Sequence, residues 1–230
     1  MSLIRPEWDA PSTVSALMST RAWPHSREQM FDGTGASPRW LHLVHGAAVK
    51  RWSHDDDTAV RPRADAAWTD EIGLACTVTA ADCLPVLFST SDGRAVAAAH
   101  AGWRGLAAGV LENTVAALRA GTGCDAADVV AWLGPCIGPE AFEVGAVVLK
   151  AFAVNPGAPD PARFKLRIRS DGSPAWLANL PLLARDRLAS VGVAQISGGS
   201  WCTVQDASRF FSFRRDGAAE RMVAAVWRRN

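Results

Sequence analysis

Two histidines and one cysteine are notable in this sequence because each lies where a hydrophobic run gives way to a turn. His45 lies between Leu-Val and Gly, Cys83 lies within Ala-Asp-Cys-Leu-Pro, and His100 precedes Ala-Gly-Trp-Arg-Gly. Two imidazoles and one thiol that meet at the ends of buried strands could form a soft metal site, or a nucleophilic cysteine with a histidine base. The three residues are far apart along the chain, so their spacing alone does not group them.

Each of these residues also has an ordinary structural explanation. A histidine at a strand end is often a hydrogen-bonded structural residue, and a cysteine beside a buried strand usually packs as a small hydrophobic side chain. His100 is the most suggestive of the three, because Arg104 follows it near the start of a predicted helix. A helix N-terminus with an arginine could hold phosphate, but Arg104 could equally pair with a structural carboxylate.

Composition and charge limit the class of protein. The chain has 230 residues, of which 49% are hydrophobic and 20% are charged, as is typical of a globular protein. The formal net charge of +1 gives no electrostatic reason to expect binding to nucleic acid or to a charged membrane. No apolar run reaches the roughly 20 residues that a membrane span requires. We therefore expect a small-molecule partner.

The cysteines indicate a reducing compartment. There are five of them, with no Cys-x-x-Cys, and no apolar signal segment opens the chain. We expect reduced thiols and a cytoplasmic location. For Cys136 and Cys202, packing is favoured over a place at the rim of the site.

Hydrophobic patterning predicts several strands that position these side chains. The predicted strands cover residues 40–49, 64–67, 74–79, 84–88, 94–99 and 194–197. The first carries His45 and ends near Gly46. The fourth and fifth form a hairpin of buried strands, because a Ser-Thr-Ser-Asp-Gly turn separates them.

A regular helical pattern follows His100 and ends at Gly121. Its apolar positions are Leu106, Val110, Leu111, Val115 and Leu118. Further helices are predicted over residues 139–152 and 177–191, and residues 222–227 form either a helix or a strand. Strands and helices alternate without a repeat, which predicts a layered α/β fold with mixed β-sheets flanked by helices. No linker divides the chain, so we expect a single domain over residues 1–230.

Several segments resemble the signature blocks of the laccase-domain family. The matching blocks are residues 45–46, 64–66, 79–87, 100–105, 134–138, 143–145, 202–203, 210–215 and 221–222. The resemblance runs in order through nearly the whole chain from Trp40 onward, and its Asp-Cys-Leu-Pro and His-Ala-Gly-Trp-Arg-Gly blocks are highly specific. Members are described as polyphenol oxidases, purine nucleoside phosphorylases and the peptidoglycan editing factor. Leu43 stands where members usually carry glutamine.

This resemblance implies a fold related to cysteine-hydrolase-like proteins and a zinc site formed by His45, Cys83 and His100. Three protein ligands leave a fourth position open, which is typical of catalytic zinc. Zinc lowers the pKa of bound water to near 7, which suits hydrolytic deamination of adenosine. The resemblance also implies phosphorolysis of purine nucleosides, with nucleoside and phosphate as the small-molecule partners.

Three further residues are candidates for roles in this chemistry. Arg104 and Arg21 are the candidates for holding phosphate, because arginine grips it with paired donors. Asp82 could orient a ligand or carry a proton, and a structural hydrogen-bonding role is equally open.

Other functions and another metal are also compatible with the sequence. Cys83 could act as a nucleophile with His45 or His100 as base, in a hydrolase that edits peptidoglycan precursors. The chain could also be a non-catalytic binding module. A His/His/Cys set also suits copper, but five histidines in all are too few for a multicopper laccase, which needs roughly two or more per copper.

Overall fold

A computed structural model describes residues 2–217 and 219–229 of the chain. Within these residues the strands are β1 (Leu3–Ile4), β2 (Val14–Ser19), β3 (Ser37–Arg39), β4 (Val49–Arg51), β5 (Ala66–Thr69), β6 (Leu74–Ala80), β7 (Leu84–Thr90), β8 (Val96–Ala101), β9 (Val129–Leu133), β10 (Glu143–Val144), β11 (Phe164–Ile168), β12 (Pro174–Ala178), β13 (Gln195–Gly198) and β14 (Met222–Arg228). The helices are α1 (Trp103–Ala107), α2 (Val110–Thr122), α3 (Ala146–Ala151), α4 (Leu180–Ser190) and α5 (Phe213–Asp216).

The strands form three sheets. A six-stranded sheet has the order β13-β9-β7-β8-β5-β4, a five-stranded sheet has the order β1-β2-β14-β6-β3, and a small sheet has the order β10-β12-β11. Parallel and antiparallel pairs occur together in both large sheets, since β13 and β4 join the first sheet in parallel and β3 joins the second in parallel. The predicted mixed α/β class is confirmed.

Both faces of the six-stranded sheet are buried, which explains its nearly continuous apolar strands. Leu84, Val86 and Phe88 of β7 pack in one hydrophobic cluster with α2 and α4. Leu87 points to the opposite face and packs with β6 and β14 of the five-stranded sheet. The predicted hairpin is confirmed as β7 and β8, which pair antiparallel with Val86 opposite Ala99.

The predicted strand over residues 40–49 is wrong. The structure has β3 ending at Arg39 and β4 beginning at Val49, with a loop between them that contains one isolated bridge at His42. His45 in this loop has a φ of 59°, which no strand residue adopts. The backbone N–H groups on either side of it bond to a side-chain carboxylate rather than to a neighbouring strand.

Two predicted helices begin later than expected. The helix predicted over residues 139–152 begins only at Ala146, because β10 pairs with β12 before Gly145 caps the helix. The helix predicted over residues 177–191 begins at Leu180, where Asn179 accepts a hydrogen bond from the N–H of Leu182. Residues 222–227 are a strand and lie within β14. The helical pattern after His100 forms two helices, α1 and α2, separated at Gly109.

Two further expectations concern membrane-spanning helices and the state of the cysteines. No helix within residues 2–217 and 219–229 is long and apolar enough to cross a membrane. All five cysteines lie in these ranges and are free thiols.

The contact between α2 and β5 depends on a glycine and yields a test of the packing. A Cβ at Gly121 would overlap the benzo ring of Trp68, which is itself buried. We expect Gly121→Ala to lower the free energy of unfolding by about 1–3 kcal/mol, because this overlap outweighs the better helix propensity of alanine. Denaturant unfolding measures the change.

A double-mutant cycle provides the control for this contact. Trp68→Phe removes the ring atoms that overlap, so Gly121→Ala should cost much less stability in that background. Equal costs in both backgrounds would show that the two residues do not restrict each other.

Candidate functional site

The structure brings His45, Cys83 and His100 together from three separate elements. His45 lies in the loop before β4, Cys83 immediately precedes β7, and His100 lies in β8 near its end. Their nitrogen and sulfur ligand atoms all lie within 4.8 Å of one another. Cys83 Sγ is 3.9 Å from His45 Nε2, and the two imidazole ring centroids are 4.9 Å apart. These three side chains could hold a metal ion.

Strand pairing explains why two of the three meet. In the β7–β8 hairpin, Pro85 lies opposite His100 and Leu84 lies opposite Ala101. The residue before β7 therefore lies at the same end of the sheet as the last residues of β8. Asp82, with a φ of 88°, turns the backbone into this position.

A buried carboxylate, that of Asp65, lies beneath both histidines. Its Oδ1 is 3.0 Å from His100 Nδ1 and accepts a hydrogen bond from the N–H of His45 at 2.8 Å. Its Oδ2 accepts from the N–H groups of Gly46 at 2.7 Å and Val44 at 3.1 Å. Burial alone would raise the pKa of Asp65, but these donors lower it below its usual value, so the group is a carboxylate at neutral pH.

The electrostatics of the metal-free site favour charge separation between thiol and imidazole. Burial by itself would raise the pKa of Cys83, but hydrogen bonds with His100 and His45 lower it to about 6. Burial by itself would lower the pKa of His100, but Asp65 and Cys83 raise it to about 9. At pH 7 the metal-free site therefore holds a thiolate beside an imidazolium, and a thiolate is the form of cysteine that binds metals.

Two glycines of the Ala-Gly-Trp-Arg-Gly segment allow this segment to approach Cys83 and the loop that carries His45. A Cβ at Gly102 would lie 2.9 Å from Cys83 Sγ and 3.0 Å from His45 Cδ2. A Cβ at Gly105 would lie 2.7 Å from the carbonyl oxygen of Gly46. Larger residues at either position would push the ligand-bearing segments apart.

The three side chains open into a cavity of about 570 Å³. It is lined by Leu43, His45, Thr79, Ala80, Ala81, Asp82, Cys83, His100, Gly102, Trp103, Arg104, Ile137, Phe142, Leu180, Phe213, Arg214 and Arg221. The guanidinium of Arg104 lies over the Trp103 ring, 4.3 Å from its centroid. Among the described residues, no carboxylate or carbonyl group bonds to this guanidinium.

The surroundings of Arg21 and Asp82 do not match the roles in phosphate binding and proton transfer for which they are candidates. Arg21 lies outside the cavity lining, where its Nη1 donates to the carbonyl of Ala207 at 2.6 Å and its guanidinium stacks over Phe211. Asp82 lines the cavity, but one carboxylate oxygen accepts from Thr203 Oγ1 at 2.5 Å and the other from the backbone N–H of Arg214 at 2.6 Å. These bonds favour the structural role for Asp82.

Several residues that lie in or beneath the cavity have no role predicted from the sequence. These are Asp65, Phe142, Phe213, Arg214 and Arg221. Each lies in or beside a segment that resembles a signature block, which was the available signal. Leu43 also lines the cavity, so the departure from the family's glutamine places an apolar side chain there.

Among the described residues, the remaining histidines join no group of three possible metal ligands. In the part of the chain that the structure describes, His45, Cys83 and His100 are the one group of three suitable ligands. His25 packs edge-on against Trp23, and His54 lies beside Glu71 at the surface. A cluster of several copper ions has no ligand set among these residues.

Comparisons with known families, sequences and solved structures each find proteins that are similar to this chain over most of its length. The family described as "multi-copper polyphenol oxidoreductase laccase" matches residues 21–229. The chain is 39% identical to "Purine nucleoside phosphorylase PA4543" of Pseudomonas aeruginosa, over 97% of each chain. It is 39% identical to "Purine nucleoside phosphorylase YfiH" of Escherichia coli, over 98% of each chain. The crystal structure of Neisseria meningitidis protein NMB0706 superposes with a TM-score of 0.86 at 37% identity, covering 100% of both chains.

The thiolate–imidazolium pair yields a pH-dependent prediction. In the metal-free protein, alkylation of Cys83 by iodoacetamide should rise with pH through a midpoint of about 6, because both imidazoles stabilise the thiolate. A free cysteine has its midpoint at about 8.5. Mass-spectrometric peptide mapping after timed alkylation measures the profile for this residue alone.

A variant that lacks one imidazole is the control. In His100→Gln the midpoint should move up toward the value of a free cysteine. A wild-type midpoint near that value would show that the ion pair does not form.

Proposed function

This chain belongs to the family described as multi-copper polyphenol oxidoreductase laccase, and we propose that it is a zinc-dependent purine nucleoside enzyme. It splits adenosine- and inosine-type nucleosides with phosphate, and it deaminates adenosine. The observation that carries the proposal is the His45, Cys83 and His100 cluster at a cavity that also holds Arg104. Two relatives at 39% identity that are named purine nucleoside phosphorylase support the choice of substrate.

The donor set fits zinc. Two imidazole nitrogens and one thiolate are ordinary zinc ligands, and a set of three leaves a fourth position open to the cavity. When bound, zinc supplies a Lewis acid and lowers the pKa of water to near 7. The same set also suits a single blue-copper ion, so metal analysis of the purified protein belongs to the test.

The cavity walls provide places for both substrates. In phosphorolysis, phosphate forms a bond to C1′ of the sugar as the bond to the purine base breaks. Arg104 holds that phosphate, because its paired donors have no other partner among the described residues. Trp103, Phe142 and Phe213 also line the cavity, and an aromatic ring can pack against a purine. Arginine guanidiniums lie over these rings, namely those of Arg104, Arg214 and Arg221, so a purine would take the ring edges and faces that they leave open.

A second candidate rests on the Cys83 thiolate. With a pKa lowered to about 6 and an imidazole within 3.9 Å, Cys83 has the features of a nucleophile in an amide-bond hydrolase. Peptidoglycan precursors are the substrate class in that case. Metal content separates the two candidates, because a zinc-bound thiolate is a poor free nucleophile.

We also propose that the protein works in the cytoplasm. Five free thiols without a disulfide are the usual state of cysteines in a reducing compartment.

The first test is product analysis with metal-quantified protein. Incubation with adenosine should give inosine, and adenine should appear only when phosphate is present. Cys83→Ser should lose most of its metal and its activity while keeping its fold, because it removes one of three ligands. Chromatography of the products and elemental analysis measure both quantities.

Cys202→Ser is the matched control, since Cys202 is a second half-buried thiol outside the metal-ligand group. It should retain metal and activity. Full activity in Cys83→Ser would refute both candidate functions. Hydrolysis of a muropeptide amide by chelator-treated protein, without any purine product, would favour the second candidate.

Arg104→Ala tests the phosphate site separately. Losing a charge-assisted hydrogen bond costs about 1.5–3 kcal/mol, so kcat/KM for phosphate should fall roughly 10- to 100-fold. Deamination uses no phosphate and should change much less. Steady-state kinetics of the two reactions in parallel provide the comparison.

Arg94→Ala is the control for removing an arginine, because Arg94 pairs with Asp92 in an exposed turn. Equal losses of phosphorolysis and deamination in Arg104→Ala would mean that Arg104 does not bind phosphate selectively.

A further inference from the structure

We propose that Asp65 is the positioning residue of this metal centre. Its carboxylate holds His100 through the imidazole ring and His45 through the backbone N–H. The inference rests on the proposed function, because it assumes that the three-residue cluster binds zinc. Asp65 itself lies outside the ligand set and acts through His45 and His100.

The backbone contact fixes the loop that carries His45. The N–H groups of Val44, His45 and Gly46 all point at the Asp65 carboxylate, at distances of 2.7 to 3.1 Å. Successive N–H groups around a left-handed residue form a nest for an anion. His45 is that residue, with a φ of 59°. Here the anion is a side chain of the protein, so its charge stabilises a backbone shape that is otherwise unfavourable for histidine.

The ring contact fixes the orientation of His100. Its Nδ1 lies 3.0 Å from Asp65 Oδ1, and its backbone N–H donates to the carbonyl oxygen of Asp65 at 2.7 Å. Asp65 therefore holds both the strand position and the ring. With Nδ1–H engaged, Nε2 is the nitrogen left to bind metal, and such a partner also raises the basicity of a histidine ligand.

Among the described residues, Asp65 is the acceptor that makes these contacts. Asp65 is fully buried, with 0% of its surface exposed, so water cannot replace the carboxylate freely. The carboxylate that lines the cavity, that of Asp82, already accepts from Thr203 and Arg214. Asparagine at position 65 keeps the shape but turns an amide NH₂ toward donors, which leaves part of the nest without an acceptor.

The test is the zinc affinity of Asp65→Asn. Metal-free protein is titrated with zinc in competition with a chromogenic chelator, and the free energy of unfolding of the metal-free protein is measured alongside. Loss of a hydrogen-bonded partner of a metal ligand typically weakens binding 10- to 100-fold, and we expect a loss in that range. A role confined to stability would lower the unfolding free energy and leave the zinc affinity unchanged, which would overturn the proposal.

Asp56→Asn is the matched control. The Asp56 carboxylate also accepts from a backbone N–H, that of Ser53 at 2.8 Å, and from Lys50 Nζ at 2.7 Å, but it lies outside the cavity. The zinc affinity of the Asp56→Asn variant should equal that of the wild type. A wild-type protein that binds zinc but forms no purine product would contradict the proposed function alone, and the affinity comparison would still decide the role of Asp65.

A measurement on the wild type decides the question if Asp65→Asn fails to fold. Long-range ¹H–¹⁵N NMR spectra of the zinc-loaded protein report which nitrogen of each imidazole carries a proton. The proposal requires His100 to carry its proton on Nδ1 and to bind zinc through Nε2. Zinc bound through Nδ1 of His100 would overturn it.

Discussion

The antiparallel pairing of β7 with β8 is the constraint on which the site depends. It sets Cys83 and His100 at one end of the six-stranded sheet, and the next pairing, of β8 with β5, brings the residue before β5 beneath them. That residue is Asp65, which in turn holds the loop of His45. The chemistry at this end of the sheet therefore follows from strand register, which the two-sided burial of the sheet fixes.

The site holds charged groups in a part of the protein that is little exposed to water, since Asp65 and His100 are both buried. A carboxylate, an imidazole and a thiolate lie in a row from the interior toward the cavity, and each is stabilised by the next. Burying such groups is unfavourable unless every one has a partner. Here Asp65 has four donors, so the arrangement is rigid on its inner side and open only toward the cavity.

Much of the fold could be predicted because strands buried on both faces leave a clear apolar pattern. The β7–β8 hairpin is an example, and the helical spacing of apolar residues predicted α2 in the same way. The loop of His45 could not be predicted, because the carboxylate that shapes it lies 19 to 21 residues away, and apolar neighbours favoured a strand. Resemblance suggested the ligand set, but neither it nor spacing showed that Arg21 would lie against Phe211 rather than in the cavity.

The nest around Asp65 also has a consequence for the order in which the protein assembles. In an extended chain the two histidines and the cysteine are separated by tens of residues, so a metal ion gains little from any one of them and must close long loops to bind all three. The loop takes its shape from Asp65, and the pairing of β5 with β8 places Asp65 beside His100. A chain in which this sheet has not formed offers a metal ion no assembled ligand set, so any metal binding by these three residues would follow the pairing of the sheet.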